Sequence, residues 1–101
     1  MSYKIIASSI ANTSYLNNIE YLENCWTEKE IIQFIKKTDA VISILKEAPE
    51  TFKTWHLDSK IHHIEIVKQI SLYYEIKSKE VHLLVFFNNH QNPNTLKKLL
   101  L

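Results

Sequence analysis

The sequence predicts an α+β domain of order βααβββ, an antiparallel helix hairpin packed on one face of a small, mostly antiparallel sheet. Three observations carry that expectation. Apolar residues recur at three- and four-residue steps up to Pro49 and alternate at two-residue steps from Ile61 onward. The joints between the alternating segments are only a few residues long, which suits hairpins. The chain has 101 residues, 46% hydrophobic and 23% charged, the size of a single domain covering 1–101. At this length folding removes roughly 60 to 70% of the unfolded surface from water, enough for one core and not for a second.

Tyr3 to Ser8, with Ile5 and Ile6, reads as a short strand closed by Ser8-Ser9. Ser9 is placed to cap a first helix whose Tyr15, Leu16, Ile19, Leu22 and Trp26 share one side. Thr27-Glu28-Lys29-Glu30 is a capping box: the Thr27 hydroxyl accepts from the Glu30 amide while the Glu30 carboxylate reaches back to the Thr27 amide. It opens a second helix with the stripe Ile31, Ile35, Thr38, Ile42 and Leu45, flanked by Ile32, Phe34, Val41 and Ile44, and Pro49 stops it. So short a joint makes the two helices fold back on each other. Thr51 to Ser59 reads as an irregular connector whose Phe52, Trp55 and Leu57 tuck against the helix ends. Three strands follow, built on Ile64 and Ile66, then Ile70, Leu72, Tyr74 and Ile76, then Val81, Leu83, Val85 and Phe87. Ser71, Tyr73 and Glu75, and likewise His82, Leu84 and Phe86, fall on the opposite, open face.

Two absences narrow the function. The chain has no glycine, where average usage predicts about seven, so dinucleotide fingerprints, P-loops and nucleophile elbows are excluded. All 12 basic residues are lysines, which removes every bidentate guanidinium contact. Against 11 carboxylates they leave a net charge of +1, no footprint for nonspecific polyanion or membrane binding. The lone Cys25 forms no internal disulfide and has no activating base beside it. The apolar run at the N-terminus is too short for a signal peptide, so a cytoplasmic protein is expected. No cofactor or metal is expected, since the adjacent His62 and His63 point to opposite faces of a strand. Turns without glycine fall to Asn, Ser, Lys or Pro, with Asn88, Asn89 and Asn92 the candidates for unusual backbone angles.

The tail Phe86-Phe87-Asn88-Asn89-His90-Gln91-Asn92-Pro93 resembles the strand-end signature of RelE/ParE toxins, an aromatic pair followed by Asp-Asn-Arg-Gln-Asn/Asp-Pro. Trp26-Thr27-Glu28-Lys29-Glu30, Glu47-Ala48-Pro49-Glu50 and Val67-Lys68-Gln69-Ile70-Ser71-Leu72-Tyr73-Tyr74 are each similar to the family pattern, and the order of elements agrees. The resemblance implies a bacterial toxin of a type II toxin–antitoxin module, of the plasmid-stabilisation type, neutralised by a cognate antitoxin in a hetero-oligomer or itself a homodimer. ParE-like members bind DNA gyrase without chemistry of their own; RelE-like members cut mRNA on the ribosome. This chain has Asn88 and His90 where the family's usual Asp and Arg stand, and His62 and His63 where basic residues often enter the strand. Those departures favour a ParE-like, protein-binding gyrase inhibitor over an enzyme. The alternatives are an endoribonuclease built from His63, Glu65, Tyr73, His82 and His90, and a homologue that only binds its antitoxin. The tail residues are expected to be structural. Ile32, Phe34, Ile44, Leu84 and Phe86 are candidates for an antitoxin groove, the alternative being that they are ordinary core and surface hydrophobes.

Overall fold

The computed structural model describes residues 2–101. It is an α+β fold, a helix hairpin on a sheet, with two small elements beyond the expected order. β1 (Lys4–Ala7) leads into α1 (Ser9–Cys25) and α2 (Glu28–Glu47), then a 3-10 turn (Pro49–Thr51), β2 (Thr54–Trp55), β3 (Asp58–Val67), β4 (Ile70–Lys77), β5 (Glu80–Asn88) and α3 (Pro93–Leu100). The sheet order is β1-β5-β4-β3-β2, with β1 parallel to β5 and every other pair antiparallel. Among the described residues no helix is long and apolar enough to cross a membrane.

Local chemistry sets the helix boundaries. Ser8, not Ser9, caps α1, its hydroxyl accepting from the Ala11 amide. Both hydrogen bonds of the Thr27–Glu30 capping box form. α2 ends at Glu47 and Pro49 enters the 3-10 turn. The expected stripes pack against the core, with Leu22, Thr38 and Leu45 buried and Tyr15, Ile19, Trp26, Ile31, Ile35 and Ile42 half-buried beside them, except for Leu16. Phe34, Thr38 and Leu45 are the buried residues of α2, and on α1 Leu16 lies in solvent, 61% exposed, while Asn18 is buried.

Asn18 is buried because α1 finishes an edge that β1 leaves bare. β1 covers β5 only from Glu80 to Leu83. Beyond it the Ser8 hydroxyl donates to the Leu84 carbonyl, the Phe86 amide donates to the Ser14 hydroxyl, and the Asn18 amide donates to the Phe86 carbonyl at 2.8 Å. Side chains of a helix thus stand in for the missing strand and satisfy its hydrogen bonds.

The sheet is covered on both faces. Under the hairpin lies the larger core, including Phe34, Leu45, Ile70, Leu72, Tyr74, Val81, Leu83 and Phe86. On the other face Trp55, Ile61, Tyr73, Val85, Phe87 and Leu96 form a second buried cluster. The expectations of a single core and an open second face are therefore corrected. α3 supplies Leu96 as a cover, and Trp55 swings away from the hairpin to pack edge-on against Tyr73. The simple alternation expected along β5 also fails at one residue. Tyr73 pairs with Val85 and Tyr74 with Leu83, so Leu84 is an extra residue, a bulge that reverses the phase of the strand. Val85 and Phe87 consequently face α3, and Phe86 faces the hairpin.

The hairpin turn Ser78-Lys79 is made of residue types expected in the absence of glycine, but the unusual backbone angle does not fall at Asn88, Asn89 or Asn92. The single positive φ among the described residues belongs to Ser78, at 55°, and not to an asparagine. It is the first of two residues linking Lys77 to Glu80, the position that a type II′ hairpin usually gives to glycine.

Candidate functional site

The strongest concentration of chemically capable side chains lies at the outer edge of β3. β2 is only two residues long, and the Lys53 carbonyl takes the His63 amide at 2.9 Å. Beyond that bond the edge of β3 runs free. A cleft of about 630 Å3 opens there, lined by Lys53, His63, Glu65, Lys68, Ser71, Tyr73 and Asn89 among others. His63 and Tyr73 are directly paired across β3 and β4, their rings stacked with centroids 5.4 Å apart. Glu65 is two residues along β3 on the same face, opposite Ser71. Asn89 forms the far wall, donating to the Lys68 carbonyl and the Ser71 hydroxyl, while its own amide bonds the Gln69 carbonyl.

Electrostatics set what this cleft can do. Burial first, then the positive charges of His56, Lys53 and His62, hold the His63 imidazole below its ordinary 6.5. It is neutral at pH 7 and suited to accept a proton. Burial pushes the Tyr73 hydroxyl up, so it stays a donor. Lys53 and Lys68 are exposed ammonium groups able to attract an anion. Neutral base, phenol and two point cations are thus assembled, without a guanidinium to clamp a phosphate.

Of the five candidate catalytic residues the fold brings together three, His63, Glu65 and Tyr73. His82 pairs with Glu75 on β5, two strands away from β3, more than ~10 Å from His63 by strand spacing, and its imidazole lies 3.1 Å from the Glu80 carboxylate. His90 is exposed beyond the end of β5. His62 turns to the other face, stacked on Tyr74, with its Nδ1 2.9 Å from the Phe52 carbonyl. Lys53 and Lys68 escaped sequence reasoning. Lys68 had a signal, since a two-residue hairpin holds it beside Glu65; Lys53 had none, because a two-residue strand leaves no periodicity.

The tail residues hold the chain's exit from the sheet. The Asn88 side chain accepts from the His90 amide, the Asn88 carbonyl from Gln91, and Asn92 caps α3 with Pro93 in its first turn. Phe87 lies in the cluster under α3. The groove candidates scatter. Phe34 and Phe86 are core residues under the hairpin, Leu84 is half-buried on the opposite face, and Ile32 and Ile44 are exposed on α2. They line no common surface. Cys25 is exposed at the end of α1.

No protein-family model and no curated protein matches the sequence. Solved structures do match the fold. A chain of the chromosomal ParDE TA system from P. aeruginosa aligns with a TM-score of 0.71 over 86% of this chain and 96% of that one, at 8% identity. A copper-bound mutant toxin from Helicobacter pylori aligns at 0.59, with 16% identity, over 86% and 94% of the two chains. The YoeB dimer from Staphylococcus aureus aligns at 0.56, with 12% identity, over 90% and 100%.

Proposed function

From the fold it shares with RelE/ParE superfamily toxins, we propose that this chain is the toxin of a type II toxin–antitoxin pair, ParE-like, acting in the cytoplasm by binding its target protein. The observation that carries the proposal is the near end-to-end alignment with a ParDE chain, 86% of one and 96% of the other, on a sequence that independently resembles the family at its capping box and tail. DNA gyrase is the target that the ParE-like resemblance implies. The residues support binding over cleavage. Two of the five candidate catalytic groups lie outside the cleft, and its cations are solvated lysines. Expression without the neighbouring gene product should arrest growth, and the purified protein should inhibit supercoiling by gyrase. Inhibition should survive substitution of His63. A gyrase indifferent to the protein overturns the target, and unimpaired growth overturns toxicity itself.

A second reading rests on a separate observation, the cleft that joins His63, Glu65, Tyr73, Lys53 and Lys68. Cleavage of mRNA on the ribosome needs a base for the 2′-hydroxyl, a cation for the phosphorane and an acid for the leaving oxygen. His63 and Glu65 are the candidates for the base, the two lysines for the cation and Tyr73 for the donor. Ribosome-phased cuts abolished by His63→Ala would establish that reading in place of the first.

A further inference from the structure

The segment from Pro49 to Trp55 crosses the edge of β3 from the hairpin side of the sheet to the side that α3 covers, and two cross-strand pairs hold its ends. On the hairpin side the His62 and Tyr74 rings stack with centroids 5.3 Å apart, and the Tyr74 hydroxyl donates to the Pro49 carbonyl at 2.6 Å. On the other side His63 stacks on Tyr73, against which Trp55 packs edge-on. Between these ends the side chains fix little: Glu50, Thr51, Lys53 and Thr54 are exposed, and only the Phe52 ring reaches the core. Lys53 nonetheless enters the cleft beside His63.

Hydrogen bonds at two successive peptide planes give the reason. A carbonyl only accepts, so the His62 Nδ1, 2.9 Å from the Phe52 oxygen, carries a hydrogen and donates it to that bond. The carbonyl belongs to the Phe52–Lys53 peptide. The next plane, between Lys53 and Thr54, is held by the His63 amide, which donates to the Lys53 carbonyl at 2.9 Å. Peptide planes are rigid, so holding both planes that flank one Cα fixes its two soft dihedrals and with them the direction of its side chain. Consecutive residues of β3, one by its ring and one by its backbone, thus aim Lys53.

We propose that His62 is a positioning residue of the β3 cleft: its Nδ1–H, through the Phe52–Lys53 peptide, holds the Lys53 ammonium on the His63 side of the strand. His62 itself lies behind the cleft, on the opposite face. The arrangement belongs to the cleft, whichever target the protein meets. It also has a measurable signature, because the positive charges of His56, Lys53 and His62 add to burial in holding the His63 imidazole below its ordinary value, while Glu65, Lys68 and Tyr73 line the same cleft.

The test is a double-mutant cycle on the full chain, read by NMR titration of the His63 imidazole. His62→Phe keeps a ring against Tyr74 but has no donor, whereas His62→Asn gives up the ring and keeps an N–H. Both remove the His62 charge. Lys53→Met should raise the His63 midpoint in the His62→Asn background and leave it nearly unchanged in the His62→Phe background, where the ammonium has already swung away. The His63 amide, whose acceptor is the Lys53 carbonyl, should exchange with solvent about fivefold faster or more in His62→Phe than in His62→Asn, the ratio one typical hydrogen bond sustains. Circular dichroism and thermal melts establish that each variant is folded; His62→Leu, which also lacks a donor, takes the place of His62→Phe if the latter melts early. An equal response to Lys53→Met in both backgrounds shows that Lys53 keeps its place without His62 and overturns the proposal. A merely structural His62 gives that same result, lower melting temperatures with the His63 midpoint unmoved between backgrounds. Neither readout involves a target or growth, so a chain that leaves growth and gyrase unaffected removes the toxin reading and not this one.

Discussion

Asn18 shows how one buried polar side chain can replace part of a strand. Its amide joins the Ser14 carbonyl, one turn back on α1, to the Phe86 carbonyl at the bare edge of β5. Asn18→Ala leaves that carbonyl buried without a partner and should cost about 1–3 kcal/mol, read as a fall in denaturant midpoint. Ser78 stores the opposite opportunity. A non-glycine residue in the left-handed region costs about 1–2 kcal/mol, offset in a glycine variant by about 0.4–1 kcal/mol of extra unfolded-chain entropy. Ser78→Gly should therefore stabilise by up to about 1 kcal/mol, measured by the same titration. His63 gives the fold a pH dependence of known sign. Because its imidazole is held below 6.5 in the folded state, the unfolded chain takes up the proton first on acidification. The associated stability is complete above the unfolded value and is lost as pH falls toward the folded one. The melting temperature should drop as pH falls through and below the ordinary imidazole value of about 6.5, and drop less in His63→Gln.

Secondary elements differ in how their stability arises. α2 owes its start to the capping box and its end to Pro49, both local effects. α3 is the contrary case. Eight residues form no stable helix alone, and this one persists because Asn92 caps it and Leu96 docks among Trp55, Val85 and Phe87. Leu96→Ala should cost about 2–5 kcal/mol and raise binding of a hydrophobic dye as the second face is uncovered, with little change in the hairpin's circular dichroism. The bulge at Leu84 makes that docking geometry available. Without the extra residue, Val85 and Phe87 would face the hairpin, and Phe86 would take their place beneath α3.

At the scale of the molecule, two small cores share one sheet. Tyr73 and Tyr74 sit side by side on β4 and belong to opposite clusters, so neither face melts without disturbing the other. Unfolding should be two-state: in a Trp26→Phe background, Trp55 fluorescence from the α3 side and far-UV circular dichroism should trace the same transition. The sequence by itself determined the helix hairpin, its capping box, the Pro49 stop and the three long strands, because each is a local pattern of period or a hydrogen bond spanning a few residues. It also placed His63, Glu65 and Tyr73 on one face, since strand alternation fixes faces without knowledge of partners. Only the tertiary structure decided the rest. A one-residue bulge reverses every side chain after it yet leaves no mark in hydrophobicity. The bare edge that buries Asn18, the entry of Lys53 into the cleft, and the exile of His82 and His90 all depend on which strands neighbour one another. That is settled by packing between residues far apart in the chain, which periodicity does not encode.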